Sequence, residues 1–72
     1  MNTNTNELKA EIARHGDTMI TLAEKLDIST VSLSLKVNGK RDFKQREIAK
    51  IKDIYNLSND RADAIFFALS VS

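Results

Sequence analysis

The stretch "TMITLAEKLDISTVSLSLKVNGK", residues 18–40, contains two helix patterns that follow each other almost without a break. Its first half repeats apolar residues at the spacing of one helix face, namely Met19, Leu22, Ala23 and Leu26. In the second half, Leu33 and Val37 are one helical turn apart and share an inward side. We therefore predict helix 2 over about residues 18–26 and helix 3 over about residues 29–37.

The connection between these two helices is very short, because only about two or three residues around Asp27 and Ile28 separate them. A connection of this length forces a sharp angle between two helices. Helix 3 then ends at "NG", where Gly39 readily adopts the left-handed conformation that stops a helix. The pattern predicts a helix-turn-helix made of helices 2 and 3.

Three further helices flank this unit. Helix 1 covers about residues 6–15, helix 4 begins after a cap at Asp42, and helix 5 opens at Ser58. The inward stripe of helix 4 consists of Ile48, Ile51 and Tyr55. Proline is absent, and no strand pattern longer than "LSVS" occurs. The predicted fold is all-α, with five short helices in one domain over residues 1–72 and with residues 1–5 disordered.

The formal net charge of +1 conceals an uneven distribution. Residues 1–30 carry three basic and five acidic groups, residues 31–52 carry seven basic and two acidic, and residues 53–72 carry one basic and three acidic. Such asymmetry is typical of a protein with one basic working face, as nucleic-acid binders have. A lysine-rich, solvated helix face is the alternative that charge alone leaves open.

The composition argues against several classes of protein. Cysteine is absent and His15 is the single histidine, so neither a disulfide framework nor a typical metal site is available. There is no Gly-rich phosphate loop and no paired-carboxylate spacing, and His15 suits a helix end. No signal-peptide pattern or run of 18 apolar residues occurs. We expect a cytoplasmic protein that is not an enzyme, has no cofactor and does not bind a membrane.

The outward side of predicted helix 3 combines hydroxyl groups with exposed aliphatic side chains. Val31 and Leu35 are aliphatic side chains that need a partner to shield them from water. The DNA major groove admits a helix, and there aliphatic groups can contact thymine methyls and hydroxyls can contact base edges. The predicted base contacts are Thr30, Val31, Ser34 and Leu35. Alternatively, Val31 and Leu35 pack on another part of this protein or on a second copy.

Several residues beside helix 3 suit contacts with DNA phosphates, which position a protein without reading sequence. They are Lys36, Asn38, Lys40, Arg41 and Lys44. For Asn38, capping of helix 3 is expected whether or not its side chain also reaches DNA.

The segments "TLAEKL", "VNGKRDF", "IYNLS" and "IFF", in this order, resemble the small Cro-like regulators of the Xre group, in particular those of prophages. These proteins have the lambda-repressor fold, and the resemblance extends from about Leu8 to Leu69. It implies a transcriptional regulator that places helix 3 in the major groove, commonly as a dimer on a palindromic operator.

Two positions depart from the family's pattern. Met19 stands where these proteins usually have a phosphate-binding Gln, so the hydroxyls of Thr18 and Thr21 and the nearby backbone N–H groups are expected to hold the phosphate. Leu35 stands where a polar side chain is frequent. Specificity is therefore expected to depend on methyl contacts and DNA shape.

Helix 5 carries the predicted assembly surface. Ala62, Ile65, Phe66 and Leu69 fall in one arc assigned to the core. Phe67, with Val71, lies near the edge of this arc, because neighbours on a helix point about 100° apart. A two-fold dimer at this patch would set two recognition helices roughly 34 Å apart. The alternative is that Phe67 packs against helix 1 or helix 4.

A second class of function also fits the residues. A protein-interaction module of the same fold, such as an antirepressor or an antitoxin-like partner, would use helix 3 or the "AIFFALSV" segment to bind protein, and Met19 and Leu35 favour it.

Because the sequence ends at Ser72, directly after helix 5, we expect no small-molecule effector and no self-cleavage.

Overall fold

The computed structural model describes residues 3–67 of the chain. Five α-helices follow one another: α1 Thr5–Arg14, α2 Met19–Leu26, α3 Thr30–Val37, α4 Gln45–Ile54 and α5 Asn59–Phe66. Within residues 3–67 there is no strand, and no helix there is long and apolar enough to cross a membrane. The predicted all-α class with five short helices is confirmed.

Hydroxyl side chains start three of these helices. Thr18, Ser29 and Ser58 precede α2, α3 and α5, and each side-chain oxygen accepts a hydrogen bond from a backbone N–H three residues further on, at 3.2, 3.1 and 3.0 Å. Each bond satisfies one of the N–H groups that a helix start leaves without an intrahelical partner. Gly39 has φ +76° after α3, so the predicted helix stop at this glycine is confirmed.

The start of α4 differs from the prediction. Asp42 does not cap it: the helix begins at Gln45, and Lys44 is the residue before it. Phe43 explains the delay, because its ring is buried and meets Phe66 edge to face at a centroid distance of 5.2 Å. Packing of the Phe43 ring in the core therefore sets the backbone conformation at this residue, and the helix begins only after it. In place of an Asp42 cap, the Glu47 carboxylate accepts the backbone N–H of Lys44 at 2.8 Å.

Asn4 and Thr5, within the segment 1–5 for which the sequence predicts disorder, make defined contacts. Asn4 donates its backbone N–H to the Ile65 carbonyl at 2.6 Å, and the Thr5 hydroxyl donates to the Val37 carbonyl at 2.8 Å. The Asn4 side chain also accepts the Glu7 N–H and so caps α1. This segment connects the end of α3 to α5.

The hydrophobic core receives side chains from all five helices. Predicted core residues that are buried are Leu22, Ala23, Leu33, Val37, Ile48, Ile51, Tyr55, Ala62, Ile65 and Phe66. Met19 and Leu26 are partly buried and pack against this core. Leu69 lies outside the residues that the structure describes. The inward stripes read from the 3.6-residue period are thus confirmed for helices 2 to 5 within residues 3–67.

The junction between α2 and α3 has a defined backbone bend. Asp27 adopts the left-handed conformation at φ 57°, which ends α2. The N–H of Ile28 then donates to the Ala23 carbonyl at 3.0 Å, and the Ile28 side chain packs on the core. Because Ser29 already caps the next helix, only three residues separate the end of α2 from the start of α3, which packs against α2.

Candidate functional site

The outward side of α3 carries the four residues predicted to contact bases. Val31 is 72% exposed, Thr30 is also exposed, and Ser34 and Leu35 are half-buried. On the opposite side, Leu33 and Val37 are fully buried. We call Thr30, Val31, Ser34 and Leu35 the α3 strip. Because these residues are spaced by one turn in two pairs, the structure brings them together as one continuous surface.

The α3 strip offers hydroxyl and aliphatic groups but no long polar side chain. Asn38, at the end of α3, is exposed, but its amide donates to the Ser34 carbonyl at 2.8 Å and lies 3.4 Å from the Ser34 hydroxyl. This amide therefore closes the last turn of its own helix, as its predicted capping role requires. A contact with phosphate would have to compete with that bond.

Lys36 does not lie where the sequence placed it. The prediction that its ammonium flanks α3 on the surface, free to contact a phosphate, is wrong: Lys36 is 5% exposed. Its Nζ atom is 2.7 and 2.6 Å from the two carboxylate oxygens of Glu47, which is equally buried. Helical periodicity gives the direction of Lys36 relative to α3, but not that α4 supplies a carboxylate in that direction.

Glu47 is held in its ionised form by two partners. Burial opposes ionisation, but hydrogen bonds from the Lys36 ammonium and the Lys44 backbone N–H, together with their nearby charge, outweigh it and lower the pKa of Glu47. One carboxylate thus connects α3 to α4 and also caps α4. The relative position of the α3 strip and the loop before α4 depends on this residue.

The loop between α3 and α4, residues 38–44, presents the remaining predicted phosphate-binding cations. Lys40, Arg41 and Lys44 are all exposed, and none forms an ion pair within residues 3–67. Arg46 and Lys50 continue the positive charge along α4, where they line a surface cleft of about 290 Å³. The loop that follows the uncharged α3 strip in the chain therefore presents three solvated cations.

At the start of α2, part of the hydrogen-bonding capacity predicted to hold a phosphate is already used within the protein. The Thr21 hydroxyl donates to Asp17 at 2.8 Å and accepts the Thr18 N–H at 2.8 Å. A hydroxyl has a single proton, so Thr21 has none left for a phosphate while this bond is kept. Thr18 is exposed, and the N–H groups of Met19 and Ile20 lie in the first turn of α2, where a helix has no acceptor of its own.

Asp17, in the loop between α1 and α2, is the centre of a polar cluster. Its carboxylate accepts from the Tyr55 hydroxyl at 2.6 Å and from the Lys25 ammonium at 2.9 Å. The Tyr55 hydrogen bond is the largest influence on the pKa of Asp17 and lowers it, against the opposing effect of burial and with help from Lys25 and Thr21. Burial and the same bond raise the pKa of Tyr55. His15 stacks on Tyr55 at a centroid distance of 4.2 Å, so this cluster fixes the α1–α2 loop against α4.

The two phenylalanines of helix 5 are divided as predicted. Phe66 is fully buried, whereas Phe67 is 39% exposed at the end of α5. Val71, the other residue assigned to a dimer surface, lies outside the residues that the structure describes. Phe67 is therefore an aromatic group available at the edge of the described fold.

A protein-family model described as "Protein of unknown function (DUF739)" matches residues 1–69, and the chain belongs to this family. No match was found among curated proteins or among solved structures. The family description names no activity.

Proposed function

We propose that this protein is a sequence-specific DNA-binding transcriptional regulator of the Cro-like, Xre type. In this proposal α2 and α3 form a helix-turn-helix, and α3 enters the major groove of an operator. The observation that carries the proposal is the contrast on α3 between fully buried Leu33 and Val37 and a strip that leaves Val31 72% exposed. A helix with its diameter of about 10–12 Å fits a groove that is about 12 Å wide.

The surroundings of α3 support the same proposal. The solvated cations Lys40, Arg41 and Lys44 follow α3 directly in the chain, where phosphates would flank a helix lying in the groove. The first turn of α2 adds backbone N–H groups at a helix N-terminus, an arrangement that suits an anionic oxygen. Under this proposal the cations position the protein and the α3 strip reads the bases.

A homodimer on a two-fold operator is part of the proposal. Phe67 supports it, because an aromatic ring exposed at the end of α5 can meet its own copy across a two-fold axis. Such a dimer would present two α3 helices to successive major-groove turns, roughly 34 Å apart.

A second candidate function is a protein-interaction module, such as an antirepressor or an antitoxin-like partner. It is favoured by exposed aliphatic side chains, since Ile20 is 60% exposed and Val31 is 72% exposed. An apolar contact surface on a partner protein would cover them as well as a groove does. The uncompensated cations of the α3–α4 loop favour DNA instead.

Fluorescence anisotropy with duplex DNA from the region upstream of the protein's own gene tests the proposal. We expect tighter binding to this duplex than to a scrambled duplex of equal length and composition. Replacement of Val31 or Leu35 by Ala should cost about 1 kcal/mol or more on the upstream duplex and little on the scrambled one. Equal losses of binding free energy on both duplexes would show that the α3 strip does not contact bases in the groove. Wild-type protein that binds neither duplex would favour the protein-interaction module.

A further inference from the structure

The α3 strip lacks the chemical groups that usually distinguish bases. Arg or Lys normally makes paired hydrogen bonds with guanine, and Asn or Gln normally makes them with adenine. On α3, Lys36 is buried against Glu47 and the Asn38 amide is bonded to the Ser34 carbonyl. The strip is left with the hydroxyls of Thr30 and Ser34 and the aliphatic groups of Val31 and Leu35.

The aliphatic groups of the strip have one natural counterpart in the major groove. The C5-methyl of thymine, or of a methylated cytosine, is the apolar group that base edges present there. Val31 is the most exposed large apolar residue among those that the structure describes, and it lies in the first turn of α3. Leu35 is one turn further along the same side and continues the apolar surface.

We propose that the protein recognises pyrimidine C5-methyl groups, with Val31 and Leu35 as the residues that determine specificity. This inference rests on the proposed DNA-binding function and defines its substrate as duplex DNA that presents these methyl groups at the operator. The hydroxyls of Thr30 and Ser34 add hydrogen bonds with little power to distinguish one base from another, because a hydroxyl both donates and accepts.

Replacement of thymine by uracil tests the inference directly, since deoxyuridine pairs like thymidine but lacks the methyl group. The duplex from the region upstream of the gene is prepared with either base, and the affinity of the full chain for each is measured. We expect the uracil duplex to bind more weakly by about fourfold for each methyl group that the complex buries, or about fifteenfold when each half-site contributes one. The same upstream duplex with 5-methylcytosine in place of cytosine gives the source of the methyl: weaker binding of the uracil duplex indicates thymine, and tighter binding of the 5-methylcytosine duplex indicates methylated cytosine.

Protein variants separate a methyl contact from an effect of uracil on DNA shape. Val31→Ala should bind the thymine and uracil duplexes with nearly equal affinity, and Val31 is exposed enough for the fold to survive, which far-ultraviolet circular dichroism verifies. Ile20→Ala is the matched control, because Ile20 is an exposed aliphatic residue on α2 and should leave the discrimination unchanged. Discrimination that persists in Val31→Ala and in Leu35→Ala would assign it to DNA shape and overturn the inference.

The outcomes for the wild-type chain distinguish a failure of methyl recognition from a failure of the proposed DNA binding. Specific binding to the upstream duplex with equal affinity for its thymine, uracil and 5-methylcytosine forms would overturn methyl recognition and leave DNA binding standing. Binding to none of these forms in preference to a scrambled duplex would overturn the proposed function and the inference with it.

Discussion

The lysines of the α3–α4 segment occupy two contrasting environments. Lys36 is buried and bonded to Glu47, whereas Lys40 and Lys44, a few residues later, are exposed and make no ion pair within residues 3–67. In sequence they look alike. The difference teaches that positive charge in this segment serves two purposes, one inside the fold and one available to a partner.

Lys36 and Glu47 form a buried ion pair, here called the inner pair, and the exposed Lys40, Arg41 and Lys44 are called the outer cations. The net charge of residues 31–52 is the same whether or not the inner pair is counted. Lys36 and Glu47 remove one charge of each sign from residues 31–52, so the excess of basic over acidic groups counted there remains on the outside. Burial makes the inner pair sensitive to the loss of either member, since an unpaired charge would remain out of water. The outer cations are solvated, and their individual contribution to folding is small.

The first prediction compares the same substitution at an inner and an outer lysine. Lys36→Met leaves the Glu47 carboxylate buried without its counter-ion, and we expect the free energy of unfolding in urea to fall by about 3–5 kcal/mol. Lys40→Met, on the surface, should change it by less than about 0.5 kcal/mol. The double variant Lys36→Met and Glu47→Met should recover most of the loss. Similar stabilities for the two single variants would contradict the structural role of the inner pair.

The second prediction uses acid to break the inner contacts. The pKa values of Asp17 and Glu47 are both lowered in the folded state. Each group therefore contributes stability that is fully present above its unfolded pKa, about 4, and is lost as the pH falls through its lower folded pKa. Urea midpoints should hold nearly constant from about pH 7 to pH 5 and decline below about pH 4.5.

Amide variants provide the control for this pH dependence. Asp17→Asn and Glu47→Gln remove the titrating groups, so their combination should show a shallower acid decline from a lower starting stability. An unchanged acid profile in that double variant would assign the decline to other carboxylates.

Much of the fold could be predicted from local pattern. The 3.6-residue period places Leu33 and Val37 inward, and the 100° step between neighbours separates buried Phe66 from exposed Phe67. Hydroxyl residues and Gly39 mark helix ends for reasons that lie within one turn of chain. These features depend only on neighbouring residues, which is why sequence alone predicts them.

The features that the sequence did not reveal depend on distant partners. Asp42 matches a local cap pattern, but Phe43 packs on Phe66 and delays the helix. Lys36 has the local pattern of a surface cation, but α4 supplies the Glu47 carboxylate that binds its ammonium group. Asp17 finds its hydrogen-bond donor, Tyr55, 38 positions later in the chain. In each case a tertiary contact decides the role of a residue whose local pattern is ambiguous.

The third prediction extends the comparison of inside and outside to the two phenylalanines of helix 5. Phe66→Ala should cost about 3–5 kcal/mol of unfolding free energy, because the ring is fully buried. Phe67→Ala should barely change the melting temperature at low protein concentration, while cooperative binding to a two-half-site operator is lost. A large fall in the stability of Phe67→Ala with cooperativity intact would place this ring in the core and the dimer contact elsewhere.

The last prediction concerns the outer cations alone and involves no expected change in folding. If a dimer places about four to six basic groups on phosphates, log K should fall against log salt with a slope of roughly −4 to −5. Lys40→Ala or Arg41→Ala removes one cation from each protomer, so the slope should flatten by about 2 with no change in sequence preference. Lys9→Ala, an exposed lysine on α1, is the control and should keep the wild-type slope. Two results would contradict phosphate contacts by the loop of residues 38–44. They are an affinity that does not change with salt and an equal flattening of the salt slope by Lys9→Ala.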